Sequence, residues 1–457
     1  MKRLALSSVL ALASACGSAD ESSRPPTGDS PPPAATAATA SHPWDRASFL
    51  AGIDAMPDAK KRAAFEYAWG LYDAADVRHS FTGAHGETVD CIVTAHQPSL
   101  RLPDGSFQPI ELPPGVTLGA STGPCPSETI PRTRPDAQAF SRWLGQSDPN
   151  VVFNWWGTPP YKIGNGGYEH SRAVQSVNNQ GVYSTLSVYR PSVATSGEHS
   201  ISQVWVMGQS GTDCANGDSS GVCQSVEAGW NVDPAYGDTK PHFFIYSTSD
   251  NYRTSTGGCW APNCPSFVLL NQGGSAIIPG SAIGYTNVGD DPVSHELAIT
   301  VTRQASNSGW YIWVNADLVG YFLPDHYVHF SLNGIPATLK VPWFTSPGLR
   351  NASNLIRFGG EIINLNVGGK HTTTRMGTGN PASGADGTSP AAYQRYLYWL
   401  DGTGTTHAPN LDLTSGTNDY GHPGCYSMSQ SGAHPAWWGG SQYVYFGGKG
   451  FDASTCK

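Results

Sequence analysis

The sequence predicts an all-β protein: an antiparallel β-sandwich over residues 151–457, preceded by a small α+β domain over 42–130. Three observations lead there. Beyond residue 150 the composition shifts toward Gly, Trp, Tyr, Ser and Asn. In the same region short apolar alternations recur between turn residues, as antiparallel strands with one buried face require. No long helical period interrupts them.

At the N-terminus, Lys2 and Arg3 precede an apolar run from Leu4 to Ala15, with the small residues Ala13, Ser14 and Ala15 before Cys16. Residues 1–16 therefore read as a signal peptide. The run is shorter than the roughly 20 apolar residues that span a bilayer. Its end reads two ways: Ala13-Ser14-Ala15 suits ordinary signal peptidase, and Leu12-Ala13-Ser14-Ala15-Cys16 resembles a lipoprotein box with its leucine one position early. The chain carries 9 Cys. Setting Cys16 aside as a lipidation site leaves an even set: Cys91, Cys125, Cys214, Cys223, Cys259, Cys264, Cys425 and Cys456. An even remainder in an exported chain reads as disulfides. Cys259 and Cys264 are close enough for a local loop, and Cys425 with Cys456 suits the C-terminal part.

Residues 17–41, rich in Ser, Pro, Ala and Thr, read as a flexible tether. From residue 42, Phe65, Ala68, Trp69 and Tyr72 recur at helical spacing after a start signal at Pro57-Asp58. The pattern turns extended in Glu87-Thr88-Val89-Asp90-Cys91-Ile92-Val93. Residues 131–150 read as an exposed connection, introduced by Pro126, Pro131, Arg132, Arg134 and Pro135. Beyond it the strands include Ser202-Gln203-Val204-Trp205-Val206, His242-Phe243-Phe244-Ile245-Tyr246, Glu296-Leu297-Ala298-Ile299-Thr300-Val301 and Trp310-Tyr311-Ile312-Trp313-Val314. About 300 such residues can bury a large core between two stacked sheets.

The net charge is -9 and charged residues make up 13% of the chain, with no Lys/Arg cluster in the strand-rich part. That disfavours a nucleic-acid partner. From residue 151 onward only five glutamates occur: Glu169, Glu198, Glu227, Glu296 and Glu361. Glu227 and Glu361 stand among apolar and glycine neighbours, in Ser225-Val226-Glu227-Ala228-Gly229-Trp230 and Phe358-Gly359-Gly360-Glu361-Ile362-Ile363. Such a carboxylate either faces water from a strand or is held in a cleft. Glu296, in an alternating strand, is expected to face water.

A series of collinear words resembles the neprosin family: Glu169-His170-Ser171-Arg172-Ala173, Ser202-Gln203-Val204-Trp205-Val206, Gln224 through Trp230, Asp233-Pro234, Tyr236-Gly237-Asp238 and His242 through Tyr246. It continues in Gly258-Cys259, Cys264, Gly320-Tyr321-Phe322, Gly359-Gly360-Glu361, Met376-Gly377-Thr378-Gly379 and Ala392-Tyr393. Val89-Asp90-Cys91-Ile92 with His96-Gln97-Pro98 resembles the family's activation-peptide region. Phe358 and Arg375 depart from it, standing where Trp and Gln are common.

The resemblance implies a glutamic endopeptidase that cuts on the carboxyl side of proline in acid, with Glu227 and Glu361 as the catalytic pair. Two carboxylates facing one water would share a proton, one taking a proton from water and its partner donating one. No cofactor or metal is implied. His170, Gln203, Trp205, Trp230, Gly359 and Gly360 are the substrate-binding candidates, against the ordinary reading of a satisfied histidine and of strand aromatics as core. Zinc, serine-elbow and phosphate-loop motifs do not occur. Two other classes fit the composition: a carbohydrate-binding sandwich, given 14 Trp and the pair Trp437-Trp438, and a two-carboxylate glycosidase. The expected partner is a proline-containing peptide or protein, met by an exported monomer, secreted or tethered to a membrane by lipid.

Overall fold

The computed structural model of the chain describes residues 77–134 (except 103 and 118–122), 167–210 (except 196), 222–249, 258–270 (except 263 and 265), 277–287, 295–327 and 348–366. It further describes 370–382, 391–413, 424–430 and 441–456 (except 453 and 455). The start of the expected exposed connection is instead a strand, Thr129–Thr133, in which Arg132 is buried because it pairs with Asp90 inside a sheet. The rest of that connection beyond 134, the signal, the tether, the helix around Phe65, Cys16, Cys214 and Trp437-Trp438 lie outside the described residues. All described residues belong to one compact unit, Ala38–Lys457.

The elements are strands and short 3-10 turns. A small antiparallel sheet comprises β1 (Val77–Thr82), β2 (Thr88–Val93) and β3 (Thr129–Thr133) in that order. A six-stranded sheet takes β4 (Gly167–Asn179), β6 (Ser200–Ser210), β7 (Val222–Val232), β8 (His242–Thr248), β9 (Gly258–Trp260) and β14 (Ser353–Asn364). Its order is β4-β14-β6-β7-β8-β9, antiparallel throughout.

A nine-stranded sheet holds the rest: β5 (Gly181–Ser187), β10 (Phe267–Leu269), β11 (Glu296–Arg303), β12 (Trp310–Val314), β13 (Asp317–Phe322), β15 (Ala392–Leu400), β16 (Thr406–His407), β17 (Ser427–Ser429) and β18 (Tyr443–Gly447). It runs β10-β13-β12-β11-β5-β15-β18-β17, with β16 on β15. The two large sheets stack as the sandwich that the strand words predict. Val204, Val206, Ala228 and Ile245 from one and Val182, Leu186, Ile299, Val301 and Ile312 from the other form a single buried cluster. In β11 the alternation is visible directly: Leu297, Ile299 and Val301 are buried, and the residues between them are half-buried.

Polar side chains also cross this interior. Trp230 donates its indole N–H to the carbonyl of Ser187 at 2.9 Å, joining β7 to β5. Gln394, on β15, donates its amide to the carbonyls of Gln203 and Gly359, each at 3.0 Å.

The small N-terminal sheet shares the main core through Ile92 and Ile130, which cluster with Cys264 and Phe267. The segment after β2 then crosses the nine-stranded sheet. Gln97 accepts from the Leu269 N–H and donates to the Leu269 carbonyl, each at 2.8 Å. Its amide thereby does what a further strand would do at the β10 edge. Tyr311 donates to the Glu111 carbonyl at 2.8 Å, and the Glu111 N–H donates to Tyr321 at 3.1 Å. Leu100, Ile110, Leu112 and Val116 pack there on Val268, Leu270 and Leu318.

Cys91 is bonded to Cys125 and Cys425 to Cys456, and Cys264 is also disulfide-bonded. Cys425 and Cys456, close to His371, form the one His/Cys/Asp/Glu grouping among the described residues with metal-ligand spacing. Their disulfide removes both thiolates such a site would need.

Candidate functional site

The candidate site lies on the face of the six-stranded sheet turned away from the sandwich interior. Residues directly paired across an antiparallel sheet project to one face, and so do residues two apart along a strand. One row runs His170, Glu361, Ile201 and Asn231. The next runs Arg172, Gly359, Gln203, Gly229 and Phe244. The third runs Val174, Arg357, Trp205, Glu227, Tyr246 and Trp260. The fold thus brings Glu227 and Glu361 to one face, on strands that flank β6 on either side.

They stand diagonally. Glu361 pairs with Ile201 and Glu227 with Trp205, four positions further along β6. In a flat sheet that offset places their Cα atoms roughly 13 Å apart along the strands and roughly 10 Å across them. Gln203 sits between. Its side-chain nitrogen Nε2 donates to Glu361 Oε2 at 3.3 Å, and its side-chain oxygen Oε1 is buried with no donor among the described residues. Gln203 thus stands between the two glutamates on this face.

Glu361 is 7% exposed and held by imidazoles. His170 Nε2 lies 2.9 Å from Oε2, and His199 Nε2 lies 3.8 Å from Oε1. Burial alone pushes this carboxyl up, but the charge and hydrogen bond of His170, then those of His199, outweigh it and hold the group down to about 2. Glu227, 6% exposed, accepts a hydrogen bond from Ser225 Oγ at 2.7 Å.

Trp205 stands directly across from Glu227, and its ring centroid lies 6.2 Å from that of His170. Gly359 and Gly229 flank Gln203 in the middle row. A Cβ at Gly359, where φ is +146°, would meet the Ser171 carbonyl at 2.0 Å, and one at Gly229 the Ser202 carbonyl at 2.0 Å. Neither position has room for a side chain.

Two substrate-binding candidates belong elsewhere. Trp230 is three positions from Glu227, so the pleat turns it to the opposite face, where it is fully buried between the sheets. Removing such an indole costs stability, about 3–5 kcal/mol. Gly360 adjoins Glu361 and likewise faces inward, a Cβ there meeting the Phe446 ring at 2.6 Å. Glu296 also departs from expectation. It accepts two hydrogen bonds from Arg395, at 2.7 and 2.6 Å, and one from Tyr393 at 2.5 Å.

Sequence reasoning passed over several groups. His199 immediately precedes β6 and reaches Glu361. Gln394 supports Gln203 and Gly359 from beneath. On the inward face next to His170, Glu169 binds His371 Nε2 at 2.8 Å and accepts from Asn364 at 2.9 Å. Glu198 completes this buried group, accepting from Thr372 at 2.6 Å, from Thr374, and from the Leu365 N–H at 3.0 Å. The nearest available signal was the position of His199 and Glu169 beside quoted strand residues.

Among solved structures, the chain is similar to that of scytalido-glutamic peptidase with a transition state analog inhibitor, at 10% identity and a TM-score of 0.27. The match covers 62% of this chain and 98% of that one. The Neprosin family model matches residues 196–449. That span covers more than half of the chain, both glutamates, Gln203 and His199, and the chain belongs to the Neprosin family.

Proposed function

We propose that the protein is a glutamic-type endopeptidase in which Glu361 activates water and Glu227 serves as the acid. The observation that carries this reading is the unequal setting of two glutamates on one sheet face. Glu361 is flanked by two imidazoles, and Glu227 counts the Ser225 hydroxyl among its partners. Environments that differ in this way divide acid and base roles. The ionised Glu361 takes a proton from water as the water oxygen adds to the scissile carbonyl carbon. Protonated Glu227 then gives its proton to the departing amide nitrogen as the C–N bond breaks.

Cleavage on the carboxyl side of proline, activity in acid, export, and acylation at Cys16 complete the proposal, and they rest on the resemblance and the N-terminal motifs. Residues 42–130 are proposed to restrain the enzyme until acid processing.

Digestion of a protein mixture, read by mass spectrometry at acid and neutral pH, tests the bond class and the residue before the cut. Glu227→Gln and Glu361→Gln should each lower turnover by about 10²–10⁴-fold, as lost acid–base catalysis does, with thermal unfolding near wild type. Either variant keeping more than a tenth of turnover removes the pair. Cleavage of glycans instead of peptides removes the peptidase.

A further inference from the structure

We propose that His170 is a positioning residue acting through Glu361: it fixes the carboxylate's orientation and keeps it ionised in acid, rather than contacting substrate. This rests on the reading of Glu361 as the base. His170 is the direct cross-strand partner of Glu361 in the β4–β14 pair. It is 5% exposed, with Nε2 at 2.9 Å from Oε2.

The second imidazole approaches the other oxygen. His199 Nε2 lies 3.8 Å from Oε1, and the His199 carbonyl accepts from the Ile363 N–H at 3.2 Å, which anchors it to β14. With Gln203 donating to Oε2 as well, that oxygen is held from two sides, whereas Oε1 has His199 Nε2 only at 3.8 Å, beyond hydrogen-bond reach. With its Nε2 on Oε2, His170 faces the carboxylate and not a peptide. Its chemistry is to hold negative charge in place.

The function of this arrangement follows from the proton inventory. Peptide hydrolysis by two glutamates needs one ionised and one protonated group at the same pH. In acid, protonation of the second glutamate is easy and ionisation of the first is the difficulty. A protonated imidazole 2.9 Å away favours the carboxylate under those conditions. The other titratable or charged groups on this face are Tyr168 and Arg172 from β4, Arg357 from β14, Glu227 from β7, and His242 and Tyr246 from β8, with His199 just before β6. Register places His170, not either arginine, opposite Glu361.

The test is the pH profile of kcat/KM for wild type, His170→Gln, His199→Gln and Glu361→Gln on one proline-containing peptide. His170→Gln keeps a hydrogen-bond donor but no charge. Its acid limb should move up by at least about one pH unit, a tenfold loss on that limb, with KM unchanged and the value near the optimum within about threefold. His199→Gln, at the longer distance, should move the limb less. A uniform fall at all pH values, or a rise in KM alone, overturns the proposal.

Glu361→Gln separates the two levels. If it keeps more than a tenth of turnover, the base assignment itself fails. If it is inactive while the His170→Gln limb is unmoved, only the positioning role fails. Should His170→Gln not fold, NMR titration of the imidazoles in wild type and Glu361→Gln takes its place. Losing the carboxylate should lower the pH at which His170 titrates, and an unchanged titration overturns the proposal.

Discussion

Gln394 Nε2 lies 3.0 Å from the carbonyl oxygen of Gly359, so a side chain of one sheet satisfies the backbone of the other across the core. The same amide serves the Gln203 carbonyl at 3.0 Å. Both acceptors belong to the middle row of the candidate site. Gln394→Leu keeps the volume but removes one buried donor from the Gln203 and Gly359 carbonyls and the Ser202 hydroxyl, at about 1–3 kcal/mol in all. Chemical denaturation should show that loss. Turnover should fall as well, because Gly359 lies two residues before Glu361. A stable variant with normal turnover would show that the contact positions nothing.

His371 makes the fold sensitive to rising pH. Burial lowers its pKa, but the hydrogen bond and charge of Glu169, with the Thr372 carbonyl and Glu198, outweigh that and leave it raised. A raised histidine contributes stability that is fully present below its unfolded value, about 6.5, and is lost as pH climbs through the folded one. Thermal midpoints measured from pH 5 to 8 should therefore fall toward the alkaline end, and His371→Gln should flatten that slope. An equal slope in the variant would place the sensitivity elsewhere.

Glu296→Gln tests a structural carboxylate. The bidentate contact with Arg395 and the Tyr393 hydroxyl would be weakened, with the Arg395 charge left half-satisfied at about 1–3 kcal/mol. Differential scanning calorimetry should show a lower midpoint. Peptide hydrolysis in the folded protein should stay within about twofold of wild type, since Glu296 lies on the other sheet from Glu227 and Glu361. A dead but stable variant would reopen the choice of glutamates.

The N-terminal segment should outlast its own covalent link. Ile92 and Ile130 sit in the main core, and Gln97 closes the β10 edge. After a cut in 135–166, the two pieces should co-elute in gel filtration under native conditions and separate in denaturant. Gln97→Ala should loosen the association. Release of the N-terminal piece from the nicked wild type would contradict this.

Much of the fold was legible. The quoted words around Val204, Phe243, Leu297 and Ile312 all fall within strands, because a sheet buried on one or both faces writes its period directly into apolar residues. Glu227 and Glu361 stood out through their apolar and glycine neighbours and through the resemblance. What the sequence did not yield is pairing at long range. His199 meets Glu361, and Gln394 meets Gly359, only once strands distant in the chain are laid side by side. The misplaced candidates have a simpler origin. Trp230 lies an odd number of positions from Glu227 and Gly360 adjoins Glu361, so pleat parity excludes both from the glutamate face.

That parity makes strand length, more than strand composition, the quantity this chemistry tolerates least. Deleting one residue between Glu227 and Trp230 would keep the amino-acid content of β7 almost intact. Held in place by its flanking strands, the shortened β7 would have to present either a carboxylate to the apolar interior or an indole to the outer face. Frame-preserving indels are thus confined to the loops, and β6, β7 and β14 are expected to vary by substitution while their lengths stay fixed.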